Sequence, residues 1–316
     1  MRILLTGGAG CLGSNLLEHW LPHGHEVLVL DNFVTGRREV VPPGVPGLTV
    51  IEGSISDPAL VNDAFDRFQP THVVHAAAAY KDPNDWREDI ATNIMGTVHT
   101  VEAARRHSVR RFIYLQTALC YGPPERIPVP VDHPCRPISS YGISKLAGEN
   151  YVALSGLRYL SLRLASVIGP RLAVGVIPTF YSRLKANKPV FCTAAVRDYL
   201  HMDDFLAFMD RAMEYEAPVG IYNLGPGEGH AISDVLAAVA AAMKIPIPEP
   251  VEMRPVGLDD VETVVLDVSK TNVDFGWKPM VTFTEAIERV VRWYDKNGVS
   301  AIYTHLRLPK PTSGSL

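Results

Sequence analysis

The chain has 316 residues, 47% of them apolar and 20% charged, and a formal net charge of -4. That length holds one large domain or two closely joined ones, and the composition is that of a folded protein. Without a basic surplus, nucleic acid and anionic membrane surfaces lack electrostatic support as partners. Four widely spaced cysteines (Cys11, Cys120, Cys135, Cys192) include no C-x-x-C pattern, so neither a zinc ribbon, nor another metal site, nor a disulfide framework is expected. No stretch approaches 18 consecutive apolar residues, and the N-terminus opens at once on a strand, so the expected setting is cytoplasmic.

In chain order, short apolar runs alternate with helical stretches. Strands are expected at 2–6 (RILLT), 25–30 (HEVLVL), 48–53, 71–76, 110–116, 158–164 and 220–225. Helices are expected between them at 11–22, 58–68, 84–107, 140–154 and 203–215. Strand, helix, strand, repeated with right-handed crossovers, predicts an α/β fold with a doubly wound parallel sheet. The regularity breaks after residue 165, where loops rich in Gly and Pro enter and helices near 232–243 and 283–296 follow a different spacing. The expected division is a dinucleotide-binding Rossmann domain of 1–165 plus about 197–225. A smaller discontinuous substrate-binding lobe takes 166–196 and 226–300, and 301–316 is a tail.

Between the first strand and the first helix stand Gly7, Gly10 and Gly13, with Cys11 and Leu12 inside the loop. Glycine at these places permits a tight turn, lets the main chain approach a pyrophosphate, and lets helix and strand pack closely. The helix N-terminus adds unbonded N–H groups and a positive dipole end. Asp31, followed by Asn32, ends the second strand, where a carboxylate hydrogen-bonds ribose hydroxyls and repels a 2′-phosphate. NAD is therefore favoured over NADP, although Arg37 and Arg38 stand just downstream as possible phosphate ligands.

Tyr141 precedes Lys145 by one helical turn, roughly 5–6 Å apart at Cβ. Beside a nicotinamide, an ammonium and the positive ring both favour the phenolate. The tyrosine then takes a proton from a substrate hydroxyl as the adjacent carbon gives up hydride. Thr117, at the end of the fifth strand, is placed to hold the same substrate oxygen.

At these residues the sequence resembles the extended short-chain dehydrogenase/reductases, and within them the NAD-dependent nucleotide-sugar epimerases and dehydratases. The resemblance runs over nearly the whole chain through TGGAGCLG, LDNFVTG, VVHAAA, NIMGTVHTVEAA, TALCYG, YGISK, LRLASVIGPR, VRDYLHMDD, YNLGPGEG and FGWKP. It implies a catalytic triad of Thr117, Tyr141 and Lys145, with Lys145 also on the nicotinamide ribose. Ser54 and Ile55 fall near the adenine, Ser54 where the family usually has an acid. Ala76, Ala77 and Ala78 match small residues beside the cofactor. Asn93 matches an asparagine of the active-site floor, or else simply stabilises its helix. Arg197 and Arg254 match arginines that clamp the diphosphate of the nucleotide sugar, a UDP-sugar being favoured, with a plain surface role as the alternative for Arg254. Ser166 replaces a substrate-contacting asparagine, and Lys81 either faces the sugar or is a solvated loop residue. A homodimer is implied, with helices 84–107 and 140–154 pairing across a four-helix interface.

The same resemblance bears on the reaction. Dehydratases and decarboxylases of the family usually carry an acid directly after the Ser/Thr or one place later, where this chain has Ala118 and Leu119. The simplest remaining reaction is 4-epimerisation of a UDP-hexose or of a uronic-acid or amino-sugar derivative, redox-neutral overall. The alternatives are a dehydratase with Cys120 as acid, a net reductase, or a non-catalytic dinucleotide-binding protein. His75 reads as a packed core histidine, and no role is assigned to His201.

Overall fold

The computed structural model describes residues 1–80, 82–257 and 260–299. It begins with strand β1 (Arg2–Thr6), helix α1 (Cys11–Trp20), β2 (Glu26–Asp31), β3 (Leu48–Glu52), α2 (Pro58–Phe68) and β4 (His72–His75). Next come α3 (Trp86–Asp89), a π-helical segment at Ile90–Gly96, α4 (Thr97–Arg106), β5 (Arg111–Thr117), α5 (Ser140–Leu154) and β6 (Tyr159–Leu164). The rest is β7 (Ser166–Ile168), α6 (Val176–Lys185), β8 (Phe191–Thr193), β9 (Val196–His201), α7 (Met202–Ala212), β10 (Gly220–Leu224), β11 (Gly229–Ala231), α8 (Ile232–Met243), β12 (Glu252–Arg254), β13 (Thr263–Val264), α9 (Ser269–Phe275) and α10 (Phe283–Asn297).

Seven strands form one parallel sheet in the order β10-β6-β5-β4-β1-β2-β3, with Ile3 opposite both Val27 and His72. The order reverses between β1 and β4, so a crevice opens beyond their carboxyl ends. Both faces are covered, which is why the central strands are almost continuously apolar. On one face Leu16, Leu17 and Trp20 of α1 pack with Phe205 and Phe208 of α7. On the other, Phe65 of α2, Val101 of α4 and Val152 of α5 cover Leu4, Leu28 and Val73. The fold class is as expected: α/β, with a seven-stranded parallel Rossmann sheet.

Local signals account for several helix starts. Asp57 caps α2 by accepting from the N–H groups of Ala59 and Leu60, with Pro58 at its first position. Ser139 caps α5 through the Gly142 N–H, and Thr282 caps α10 through that of Glu285. The expected helix 84–107 is not uniform: its middle winds as a π-helix, a rare form found frequently at functional sites. The expected helix 11–22 stops at Trp20, and Leu21–His23 with Pro22 form a tighter turn.

A second hydrophobic cluster gathers α6, α8 and α10 around Phe180, Val235, Val239, Ile287 and Tyr294. Over it β7, β9, β11 and β13 make a small sheet, and β8 pairs with β12. These six short strands had no sequence-based expectation. Among the described residues no helix is long and apolar enough to cross a membrane. Lys81 and the expected tail 301–316 lie outside the described residues.

Candidate active site

The β1–α1 turn sits at the switch in strand order. Gly7 holds φ +67°, and a side chain there would lie 2.7 Å from the Ala77 backbone. Glycine lets the turn press against the alanine run that leaves β4. Gly10 caps α1 with no side-chain hydrogen bond, so the first N–H groups of the helix are not satisfied by a capping side chain. That is the donor set an anionic pyrophosphate takes. Cys11 and Leu12 are half-buried and Gly13 is buried. The Cys11 thiol is pushed up to about 12, because burial outweighs the nearby Arg171 and Arg37.

Asp31 is buried at the end of β2, and its two oxygens accept from the N–H groups of Ala9 and Phe33, each at 2.8 Å. Burial raises its pKa against those two bonds. A carboxylate has about four acceptor positions, so capacity remains for ribose hydroxyls. Asn32 is exposed and bonds the Val34 N–H. Arg38 pairs with Glu52 at 2.7 Å, which leaves its guanidinium less available to a 2′-phosphate. Ser54 bonds Ser56 at 2.8 Å, and Ile55 is buried against Gly96. Ala76, Ala77 and Ala78 are half-buried beside the turn. A cleft lined by Ala9, Gly10, Cys11, Ser14, Arg37, Tyr80 and Arg171 runs over the loop. These features fit a bound NAD.

A clasp joins this loop to the chain after β7. The Pro170 carbonyl accepts from Asn15 Nδ2 at 3.1 Å and from Cys11 Sγ at 3.5 Å. Arg171 donates to Ser14 Oγ at 2.9 Å and pairs with Glu18 at 2.5 Å. Arg171 was not among the sequence-derived site residues, although it ends the landmark LRLASVIGPR.

Helix α5 carries Tyr141 and Lys145 toward the same crevice. It comes close to the sheet because Gly148 has no side chain: a Cβ there would lie 2.5 Å from the Tyr114 hydroxyl. The Lys145 carbonyl accepts from Tyr114 Oη at 3.0 Å and Gln116 Nε2 at 2.9 Å, which fixes α5 against β5. Lys145 is 1% exposed, with its ammonium 3.9 Å from the centre of the Tyr114 ring. Burial lowers its pKa to about 7. Tyr141 is half-buried, edge-on to Tyr80 with ring centres 6.4 Å apart. Its phenol is raised well above the ordinary value, first by burial and then by Tyr80 and Asp89. The expected acidification by Lys145 is therefore not a property of the bare chain. Burial dominates both groups and removes much of the ammonium's charge at neutral pH.

Thr117 ends β5, half-buried, and its hydroxyl accepts from the Leu119 N–H at 3.2 Å. Asn93 is fully engaged by protein: Oδ1 accepts from the Ala79 N–H at 2.8 Å, and Nδ2 donates to the Ala79 carbonyl and to Ser144 Oγ, both at 3.0 Å. It ties the loop after β4 to α5. Asp89 is buried with Oδ2 unbonded, and burial raises its pKa; nothing in the sequence marked it. His75 is buried between Thr6 and Thr97 hydroxyls at 2.9 and 3.0 Å and held neutral, with a pKa near 3, by burial.

The remaining candidates lie on the small sheets. Ser166 is half-buried opposite Tyr199. Arg197 of β9 pairs with Asp260 at 2.6 Å and donates to the Val196 and Glu262 carbonyls. Arg254 of β12 pairs with Glu252 at 2.6 Å and lies 3.9 Å over the Phe191 ring. Among the described residues no group of three or more His, Cys, Asp or Glu is placed to hold a metal.

A Rossmann sheet with this loop, acidic strand end and Tyr-Lys helix defines a nicotinamide-dependent enzyme of the extended short-chain type. The model for the NAD dependent epimerase/dehydratase family matches residues 3–225, and the chain belongs to that family, with NAD as its cofactor. It is similar to the UDP-glucose 4-epimerase of Corynebacterium glutamicum, 31% identical over 88% of this chain and 91% of that one. Among solved structures it is similar to the Bordetella bronchiseptica enzyme WbmG in complex with NAD and UDP. That match has 55% identity and a TM-score of 0.93 over 98% of this chain and 99% of the other. The Thermus thermophilus UDP-glucose 4-epimerase complex with NAD matches at 36% identity and a TM-score of 0.85, over 94% and 100%.

Proposed function

We propose that the chain is a nucleotide-sugar 4-epimerase acting on a UDP-hexose or its uronic-acid or amino derivative. One observation carries the reading. Thr117 and Tyr141 come from adjoining elements at the crevice, while the two positions after Thr117 are Ala118 and Leu119, without an acid or base. The likeness to UDP-glucose 4-epimerases and to a UDP-bound neighbour supports it.

The loop Gly7–Gly13, Asp31, Asn32, Ser54, Ile55, Ala76–Ala78 and Lys145 would hold NAD, with Asn93 setting the site's floor. A bound NAD would supply a reversible hydride acceptor for the sugar carbon. Tyr141 takes the proton of the C4 hydroxyl and later gives it back, while Thr117 orients that oxygen. Burial holds the phenol high and lowers Lys145 to about 7, so Tyr141 would need the added positive charge that a bound nicotinamide supplies to act as base. Arg197, Arg254 and Ser166 receive the nucleotide end, so the sugar itself stays loosely held and can turn over. Cys120 is fully buried with its thiol pushed well up, which counts against the dehydratase alternative.

We further propose a homodimer. Trp86, Ile90, Met95, Ile143, Tyr151 and Leu154 leave an apolar face exposed along α3, the π segment and α5.

The test incubates the protein with a panel of UDP-, dTDP-, GDP- and CDP-sugars. An isomer of unchanged mass supports the reading; loss of water or net NADH turnover overturns it. Tyr141→Phe is expected to lower kcat about 10²–10⁴-fold while NAD stays bound.

A further inference from the structure

Two thiols outside that chemistry share one corner of the site. Cys120 lies in the single helical turn Ala118–Tyr121 that follows Thr117, and is fully buried. Cys135 comes from the segment leading to α5 and is half-buried. Main chain laces the two stretches together. The Arg136 N–H donates to the Tyr121 carbonyl at 3.0 Å, and the Arg136 carbonyl lies against Gly122, which has no side chain to hold it off. Their neighbours 120 and 135 thus fall side by side on facing stretches, with the Cys135 thiol turned to the His133 carbonyl at 4.0 Å. The neighbouring Cys120 side chain, with the Arg163 guanidinium, holds the Cys135 thiol below its ordinary range, while burial pushes Cys120 well up. Cys11 and Cys192, by contrast, are both pushed up by burial.

We propose that Cys135 and Cys120 form an oxidisable dithiol, which a hydroperoxide converts to a disulfide beside Thr117. The Cys135 thiolate attacks a peroxide oxygen, the O–O bond breaks, and the departing oxygen leaves with a proton as water or alcohol. The sulfur has lost two electrons to the peroxide and is a sulfenic acid. The Cys120 sulfur then bonds to it, the S–O bond breaks, and hydroxide leaves with the Cys120 proton as water. Closing the bridge draws the two sulfurs together to about 2.05 Å. The turn that moves is the one whose Leu119 N–H orients the Thr117 hydroxyl. The oxidised enzyme is therefore slower.

The NAD-loaded protein is treated with hydrogen peroxide, alkylated, and digested without reduction. The expected result is one peptide pair joining Cys120 to Cys135. Activity falls about tenfold or more, since ~1 Å of misplacement at a reacting group can cost about a hundredfold, and dithiothreitol restores it. Cys135→Ser forms no bridge and keeps its activity under peroxide; Cys120→Ser leaves a Cys135 sulfenic acid that dimedone traps. Two thiols still open to alkylation, a bridge to Cys11 or Cys192, or equal inactivation of Cys135→Ser would each overturn the proposal. The peptide map reads the bridge whatever sugar the enzyme takes, so its failure is distinct from failure of the epimerase reading.

Discussion

The cofactor side of the molecule and the side carrying Arg197 and Arg254 are built on different chemistry. Around the dinucleotide, backbone leads: a glycine turn, a helix start capped by no side chain, and a carboxylate held by two main-chain N–H groups. On the small sheets, long side chains lead, and each arginine is already paired with an acid. A backbone site is rigid and preformed; a side-chain site must exchange one partner for another when a ligand arrives. The contrast extends to ion pairs. Arg163–Glu149 joins β6 to α5 at 2.7 Å with side chains 6% and 1% exposed, whereas Arg197–Asp260 is 15% and 36% exposed.

Four measurements would break or sharpen that contrast. The largest effect is expected from Glu149→Gln, which leaves Arg163 buried with a weakened partner. Unfolding by urea should show a loss of about 3–5 kcal/mol. Next is a pH effect on the cofactor side. Unfolded Lys145 titrates at the usual 10.5 and folded Lys145 at about 7. Between those values the unfolded state carries the extra proton, so raising pH from about 7 toward 10 should stabilise the NAD-free protein. Lys145→Met should flatten that slope; an unchanged slope would assign it to other groups. On the other side, Arg197→Ala should raise KM for the UDP-sugar with little change in kcat. The loss is on the order of 1.5–3 kcal/mol for a hydrogen bond to a charged group. Smallest is Asp260→Asn, where a partly exposed pair should contribute under about 1 kcal/mol to stability. If its loss matched that of Glu149→Gln, the two sides would not differ as described.

The same divide explains what was legible in the sequence. The inner strands of the sheet could be read because strands buried on both faces are continuous apolar runs, unlike the largely exposed edge strand β3, and the glycine turn because its spacing is local. The π segment could not be, since Asn93 is held there by Ala79 and Ser144, contacts that only the fold creates. Tyr141 and Lys145 were visible as a pair, but the loss of charge on Lys145 depends on burial under the Tyr114 ring. The partner of Arg197 stands 63 residues further along, which no local pattern reports. The five shortest strands of the small sheets have only two or three residues, too few for a periodicity to emerge, and β9 (VRDYLH) lacks a continuous apolar run.

The contacts that Pro170 and Arg171 make with α1 have a kinetic consequence. They fasten over the helix whose uncapped start fits a pyrophosphate, so a bound dinucleotide is expected to leave only after they part. On the proposed reading, a sugar nucleotide held by Arg197 and Arg254 would exchange without disturbing them. Such a lock would keep the redox partner in residence through many rounds while the carbohydrate exchanges, the asymmetry a catalyst needs if it lends a hydride and takes it back.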